Sequence, residues 1–145
     1  MAKGRPDIFN QEIADKICEI IATTTKSLRT ICNDEDMPSV TTLLKWVRER
    51  KDFAEQYARA KEEQADMLIE EIIDIADDNS EDLLGEDKNG NKIENKEFVN
   101  RSRIRIDTRK WLASKLKPKK YGEKIEIDVK KGGLDKKEEE ETYEP

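Results

Sequence analysis

Residues 52–77 read DFAEQYARAKEEQADMLIEEIIDIAD, a run with neither glycine nor proline and dominated by strong helix formers. That composition predicts one helix of roughly 26 residues, about 39 Å long at 1.5 Å per residue. Its apolar positions begin as a narrow stripe at Phe53, Tyr57 and Ala60. They then widen through Ala65, Leu68, Ile69, Ile72, Ile73, Ile75 and Ala76 until they cover more than one face. One neighbouring helix covers only one such stripe, so a second surface must meet the far end of this helix.

Upstream, three shorter helices are predicted. Asn10 caps the first, with Glu12 in its first turn and Ile13, Ile17, Ile20 and Ile21 at helical spacing. The polar run Thr23, Thr24, Thr25 ends it. Ser27 caps a short second helix with Leu28, Ile31 and Cys32 inside, and residues 33–38 form a turn. Ser39 caps a third helix in which Val40, Leu43, Leu44 and Val47 form the inner face and Thr41, Lys45 and Arg48 the outer one. Three short helices in this spacing read as a helix-turn-helix, with Trp46 assigned to its core.

Downstream of the long helix, residues 79–97 are polar, with Gly85 and an Asn89, Gly90 pair suited to a tight turn, and read as a loop or small hairpin. A second long helix follows over residues 98–116, antiparallel to the first, burying Ile104, Thr108, Trp111, Leu112 and Leu116 and ending before Pro118. Ile125, Ile127 and Val129 alternate with charged residues as a strand that Gly132 and Gly133 close. That strand has no partner within the chain. A lone strand is unstable in water, so pairing with the same strand of neighbouring copies is the simplest remedy and argues for a ring.

Of 145 residues, 34% are hydrophobic and 43% charged, which limits the core one copy can build and makes partner chains a serious expectation. No apolar run suits a membrane helix or a signal core, so the protein is expected to be soluble and intracellular. Cys18 and Cys32 both fall at apolar helical positions and read as small buried hydrophobes without a disulfide. The net charge of −6 is unevenly spread: residues 1–50 balance to 0, residues 51–97 carry −10, residues 98–133 carry +8 and the last twelve carry −4. A basic block between acidic ones suits a protein with one polyanion-facing surface and several protein-facing ones.

Three segments resemble one known family. Leu43, Leu44, Lys45, Trp46, Val47 leading through Asp52 and Phe53 to Gln56, Tyr57, Ala58, Arg59, Ala60 is similar to a recognition helix running into a central helix. Residues 103–111 (RIRIDTRKW), followed by Lys117, Pro118, Lys119, Lys120, Tyr121 and Gly122, resemble a more specific signature, and Gly4, Arg5, Pro6 resemble its N-terminal arm. The family is that of the small terminase subunits of tailed double-stranded DNA bacteriophages, in its helix-turn-helix form. The resemblance implies a homo-oligomeric ring with long helices at the centre, DNA-binding domains at the rim and C-terminal strands closing a small barrel. It further implies selection of double-stranded viral DNA in the host bacterial cytoplasm and regulation of a large subunit that holds the ATPase and nuclease, with contact expected through the C-terminal region. Residues 79–97 and the short acidic tail depart from the family pattern.

The expected fold class is therefore mainly α: a helix-turn-helix DNA-binding domain with an arm over residues 1–50, and a central oligomerisation domain of two long helices over 51–120. A C-terminal strand over 121–133 and an acidic tail over 134–145 complete it. Lys3, Arg5, Thr41, Thr42, Lys45 and Arg48 are the candidate DNA contacts: cations and hydroxyls on a recognition helix reach bases and phosphates, and an arm arginine suits a narrow minor groove. A solvated helix face and a loose cationic tail are the plainer readings of the same residues. Leu68, Ile69, Ile72, Ile73, Ile104, Trp111, Leu112, Ile125, Ile127 and Val129 are the candidate oligomerisation residues. The cations from Arg101 to Lys120 face acids at Asp66, Glu70 and Asp74, so ion pairing explains them better than DNA contact, and Asp107 and Arg109 are assigned to such pairing.

Catalysis finds little support. Residues 85–92 (GEDKNGNK) lack the Gly, Lys, Ser/Thr ending of a phosphate loop, and the chain has no histidine. No metal or cofactor is expected. A dimeric helix-turn-helix transcription regulator is the rival function, and an enzyme with metal-bound carboxylates a weaker third.

Overall fold

A computed structural model describes residues 5–123 of the chain. Helices α1 (Gln11–Thr23), α2 (Leu28–Ile31) and α3 (Val40–Glu49) precede the long α4 (Lys51–Asp77). Strands β1 (Leu83–Glu86) and β2 (Lys92–Glu94), helix α5 (Lys96–Leu116) and the single turn α6 (Pro118–Tyr121) follow. The predicted caps are all present. Asn10 Oδ1 accepts from the Ile13 amide at 3.1 Å, Ser27 Oγ from the Thr30 amide at 3.2 Å and Ser39 Oγ from the Thr42 amide at 3.2 Å. Each satisfies an amide that a helix start would otherwise leave without a partner.

The first core is built from α1, α2, α3 and the N-terminal half of α4. Ala14, Ile17, Ile21, Ile31, Cys32, Met37, Leu43, Trp46, Phe53 and Ala60 are buried together, with Phe9 and Tyr57 packed against them. Phe9, Trp46 and Phe53 meet edge to face at 5.3, 5.7 and 6.3 Å between centroids, the arrangement that ring quadrupoles favour. Leu44, expected on the inner face, is instead exposed. Trp46 takes the inward position with Leu43 at i, i+3, and its larger ring sets which side of α3 faces in.

The core continues across residue 51. Arg50 alone separates α3 from α4, in an extended conformation, with its guanidinium carbon 3.8 Å from the Phe9 ring centroid and its Nε 3.7 Å from Asp52. A break without glycine or proline is held here by side-chain contacts on both sides of one residue.

Beyond Ala60, α4 turns its buried side to α5, and the two run antiparallel. Gln64, 2% exposed, donates from Nε2 to the carbonyls of Thr24 (3.1 Å) and Lys26 (3.2 Å), and Lys61 Nζ donates to its Oε1 at 3.2 Å. This fastens α4 to the α1–α2 connection. Glu71 adds a second tie, accepting from Thr25 Oγ1 at 3.3 Å and from Arg109 Nε at 2.5 Å.

The inward side of α5 differs from the sequence reading. Ile104 and Trp111 are 61% and 60% exposed, Thr108 is also exposed, and Leu112 and Leu116 are half-buried. The side that meets α4 runs through Val99, Ser102, Ile106, Arg109 and Ala113, of which only Ala113 is fully buried. The largest apolar residues misled the assignment. The small Ala113 allows close helix approach, and Arg109 is drawn inward by Glu71, so the stripe lies roughly opposite Ile104 and Trp111.

Residues 79–97 resolve into an antiparallel hairpin, with Gly85 opposite Ile93 and Glu86 opposite Lys92 and an irregularity between Leu83 and Gly85. Gly90, at φ 81°, supplies the left-handed residue of the turn. Asp87 Oδ1 accepts from the amides of Asn89 (2.8 Å) and Asn91 (2.9 Å). At the other end Pro118 opens α6 and Gly122 ends it: a Cβ on Gly122 would lie 2.5 Å from the Pro118 carbonyl oxygen. The expected strand with Ile125, Ile127 and Val129, and the tail, lie outside the described residues.

Candidate nucleic-acid interface

Helix α3 presents Thr41, Lys45 and Arg48 to solvent along one side, while Leu43 and Trp46 anchor its other side in the core. Thr42 is half-buried and belongs to the cap: its amide donates to Ser39 Oγ, and its hydroxyl accepts from the same Oγ at 3.1 Å. Ser39 therefore fixes the first turn of the helix on which the cations sit.

Arg5 reaches this helix from the arm. Its Nη1 donates to the carbonyls of Cys32 (2.8 Å) and Met37 (3.3 Å), on the two sides of the turn that leads into α3. The arm thus fastens to the turn, with Arg5 still exposed. Lys3 lies outside the described residues. Cys32 and Cys18 are both buried free thiols. Burial pushes Cys18 up to about 11 and raises Cys32 against the opposing pull of Arg5, so both are neutral at pH 7 and neither is an activated nucleophile.

The cations of α5 and α6 split into two sets. Arg109 pairs with Glu71, Arg101 with Glu97 at 4.0 Å, and Lys117 and Lys120 with Asp66 at 3.1 and 3.3 Å. Asp66 also accepts from the Tyr121 hydroxyl at 2.6 Å. That hydrogen bond, with those from Lys117 and Lys120, holds its carboxyl down at about 2. Among the described residues Arg103, Arg105, Lys110, Lys115 and Lys119 have no carboxylate within ion-pair distance, and Asp107, expected to pair, has no cation so placed. Glu70 and Asp74 are exposed, and no group of three acidic, histidine or cysteine side chains among the described residues could hold a metal ion.

Sequence reasoning missed Gln64, Glu71 and Tyr121 as anchors. Gln64 and Glu71 sit inside a run of polar residues with no pattern to separate them from solvated neighbours. Tyr121 stands out in the sequence only as part of a motif, and its distance of 55 positions from Asp66 hides the pairing.

Among the described residues no helix is long and apolar enough to cross a membrane. A family model described as bacteriophage Sf6, terminase small subunit-like, matches residues 9–128. Among solved structures, the chain is similar to three single-residue variants of the terminase small subunit gp1 of the bacterial virus Sf6. The Asp-to-Arg, Arg-to-Ala and Lys-to-Glu variants superpose with TM-scores of 0.67, 0.67 and 0.68 at 34% identity. The matches cover 83% of this chain and 86%, 82% and 86% of those chains. Comparison with curated proteins gave no match. With most of both chains aligned and the family model spanning the core, α4, the hairpin and α5, the chain belongs to the bacteriophage Sf6 terminase small subunit-like family.

Proposed function

We propose that this chain is the DNA-recognition subunit of a viral packaging terminase, acting as a homo-oligomeric ring without catalytic activity of its own. The observation that carries the reading is the exposed Thr41, Lys45, Arg48 side of α3, held by a capped first turn and a packed core in a chain of this family. In this reading α2, the turn and α3 form a helix-turn-helix. Thr41, Lys45 and Arg48 contact double-stranded viral DNA, Thr42 positions the first turn, and Arg5 and Lys3 bring the arm alongside.

Weak contacts from each copy sum across the ring, so avidity replaces a tight single site. Ile73 and Ile104, with Trp111 at the edge, form the exposed apolar part of the interface between copies, and Leu68, Ile69, Ile72 and Leu112 support it from within. Ile125, Ile127 and Val129 close an intersubunit barrel. A large terminase subunit, which supplies the ATPase and nuclease, is met through the C-terminal region in the host bacterial cytoplasm.

The test is a Lys45→Ala, Arg48→Ala double variant assayed by DNA binding across a salt series, with mass measured by light scattering. We expect affinity to drop about tenfold or more and the salt slope to fall by roughly one per lost phosphate contact, at unchanged mass. Unaltered binding would remove α3 as the reader. A stable dimer in place of a larger closed assembly would turn the reading towards a two-fold transcription regulator.

A further inference from the structure

Every residue of β1 and β2 is exposed, so neither face of the hairpin is covered by a helix of its own chain. Leu83, Leu84 and Ile93 stand in the open, and Gly85, opposite Ile93, has no side chain to shield it. A two-stranded hairpin on its own is marginal in water and gains stability by packing on a helix or on further strands. This hairpin is nonetheless firmly based. Asp87 closes its turn, the Asn95 amide donates to the Asp82 carbonyl at 2.7 Å, and the Asn95 side chain caps α5 by accepting from the Phe98 amide at 3.2 Å. Its carboxylates Glu81, Glu86 and Glu94 have no cation within ion-pair distance among the described residues.

A complementary surface is left over on α5. Ile104 points away from α4, and at about 100° per residue Arg103 and Arg105 flank it on either side. Neither arginine has a carboxylate within ion-pair distance among the described residues. Two acids share this side: Glu97, which Arg101 engages, and Asp107. Cations still prevail, because residues 98–116 carry six of them against Asp107 alone.

We propose that the hairpin of one copy docks on the Ile104 side of α5 in the next copy, a head-to-tail contact. Such a contact presupposes the homo-oligomeric reading above and names the two surfaces that meet. Charge selects the occupant: residues 79–97 carry six acids and three lysines, the reverse of the surface they cover. Packing α5 on α5 about a two-fold axis would instead set Arg103 and Arg105 of each copy against those of the other, a costly like-charge contact. With the hairpin as partner, Leu84 and Ile93 give Ile104 an apolar cover and Glu86 and Glu94 give the arginines carboxylates, an apolar centre with a charged rim. The reach is sufficient. Copies in a ring differ by rotation alone, so equivalent residues share one height along its axis. Ile104 lies about 12 Å along α5 from the end of the hairpin, and a four-residue strand spans about 13 Å. Head-to-tail contacts that close on themselves generate rings.

The test uses two full-length single variants, Leu84→Cys and Ile104→Cys, each alone and co-expressed, treated with a short bis-maleimide and run on a denaturing gel. The native Cys18 and Cys32 are buried and stay silent. A cross-linked pair is expected from the co-expressed variants and from neither alone, which also excludes a link within one chain. A self-link of either single variant would overturn the proposal in favour of a two-fold contact. Light scattering separates the remaining outcomes. No mixed link in an assembly of full mass would overturn the hairpin contact while leaving the ring; a single-copy mass would remove the ring reading and this contact with it. As a second measurement, Leu83→Ser with Leu84→Ser is expected to raise the concentration at which the assembly dissociates about tenfold or more, with far-ultraviolet circular dichroism unchanged. An unaltered dissociation concentration would overturn the proposal.

Discussion

The two halves of helix α4 lie in opposite situations. Its N-terminal half closes a core that one chain completes alone: Phe53 and Ala60 are buried among side chains from α1, α2 and α3. The C-terminal half shares its apolar surface with α5 and leaves part of it outside, with Ile73 49%, Ile104 61% and Trp111 60% exposed. The same helix is thus finished at one end and unfinished at the other. Gln64 marks the border, where a buried amide ties the finished unit to the open one. A fold arranged this way keeps its α3 surface rigid in a single copy and leaves Ile73, Ile104 and Trp111 facing outward.

The contrast breaks most strongly at Phe53. Phe53→Ala removes a ring that contacts Phe9, Trp46 and Tyr57 and leaves a cavity in the core that the N-terminal helices share. We expect a loss of about 3–5 kcal/mol in denaturant unfolding. A loss below about 1 kcal/mol would mean that the N-terminal unit does not depend on α4, and that the helix is not shared in the way described.

Asp66 tests the open half with a smaller effect. The Tyr121 hydroxyl bond, with the two lysines, holds its carboxyl at about 2, below the ordinary value of 3.8. A lowered folded-state value means that the carboxylate contributes stability above about 3.8, and that the contribution is lost as pH falls through 2. Asp66→Asn is therefore expected to lower the melting temperature at pH 7, with the gap to the parent protein closing between pH 4 and pH 2. A gap independent of pH would assign the effect to shape rather than to charge.

How much of this was legible differs between the halves for a physical reason. Caps and short apolar periods are local, so Asn10, Ser27 and Ser39 and the inner sides of α1 and α3 could be read residue by residue, apart from Leu44. The exposed Thr41, Lys45, Arg48 side followed from the same periodicity. The side of α5 that meets α4 was not legible, because a helix with nearly as many cations as apolar residues has no dominant stripe. Its orientation is set by partners distant in sequence: Arg109 by Glu71, and α6 by Asp66. Hydrophobic size pointed to Trp111 and Ile104, and burial within the chain went to Ala113.

That displacement gives the finest test of the comparison. If Ile104 belongs to the unfinished surface, it contributes little to one chain and much to an assembly. Ile104→Asp is expected to change single-chain unfolding by no more than about 0.5 kcal/mol, the range of exposed positions without a structural role. In light scattering the same variant is expected to shift the mass towards smaller species, because a carboxylate at an apolar contact between copies is left without a partner. Equal stability and equal mass would show that Ile104 is merely solvated. A large loss of stability at low concentration would show that α5 packs on α4 through Ile104 after all. Only the split between the two readouts matches a surface that the chain leaves for another copy to cover.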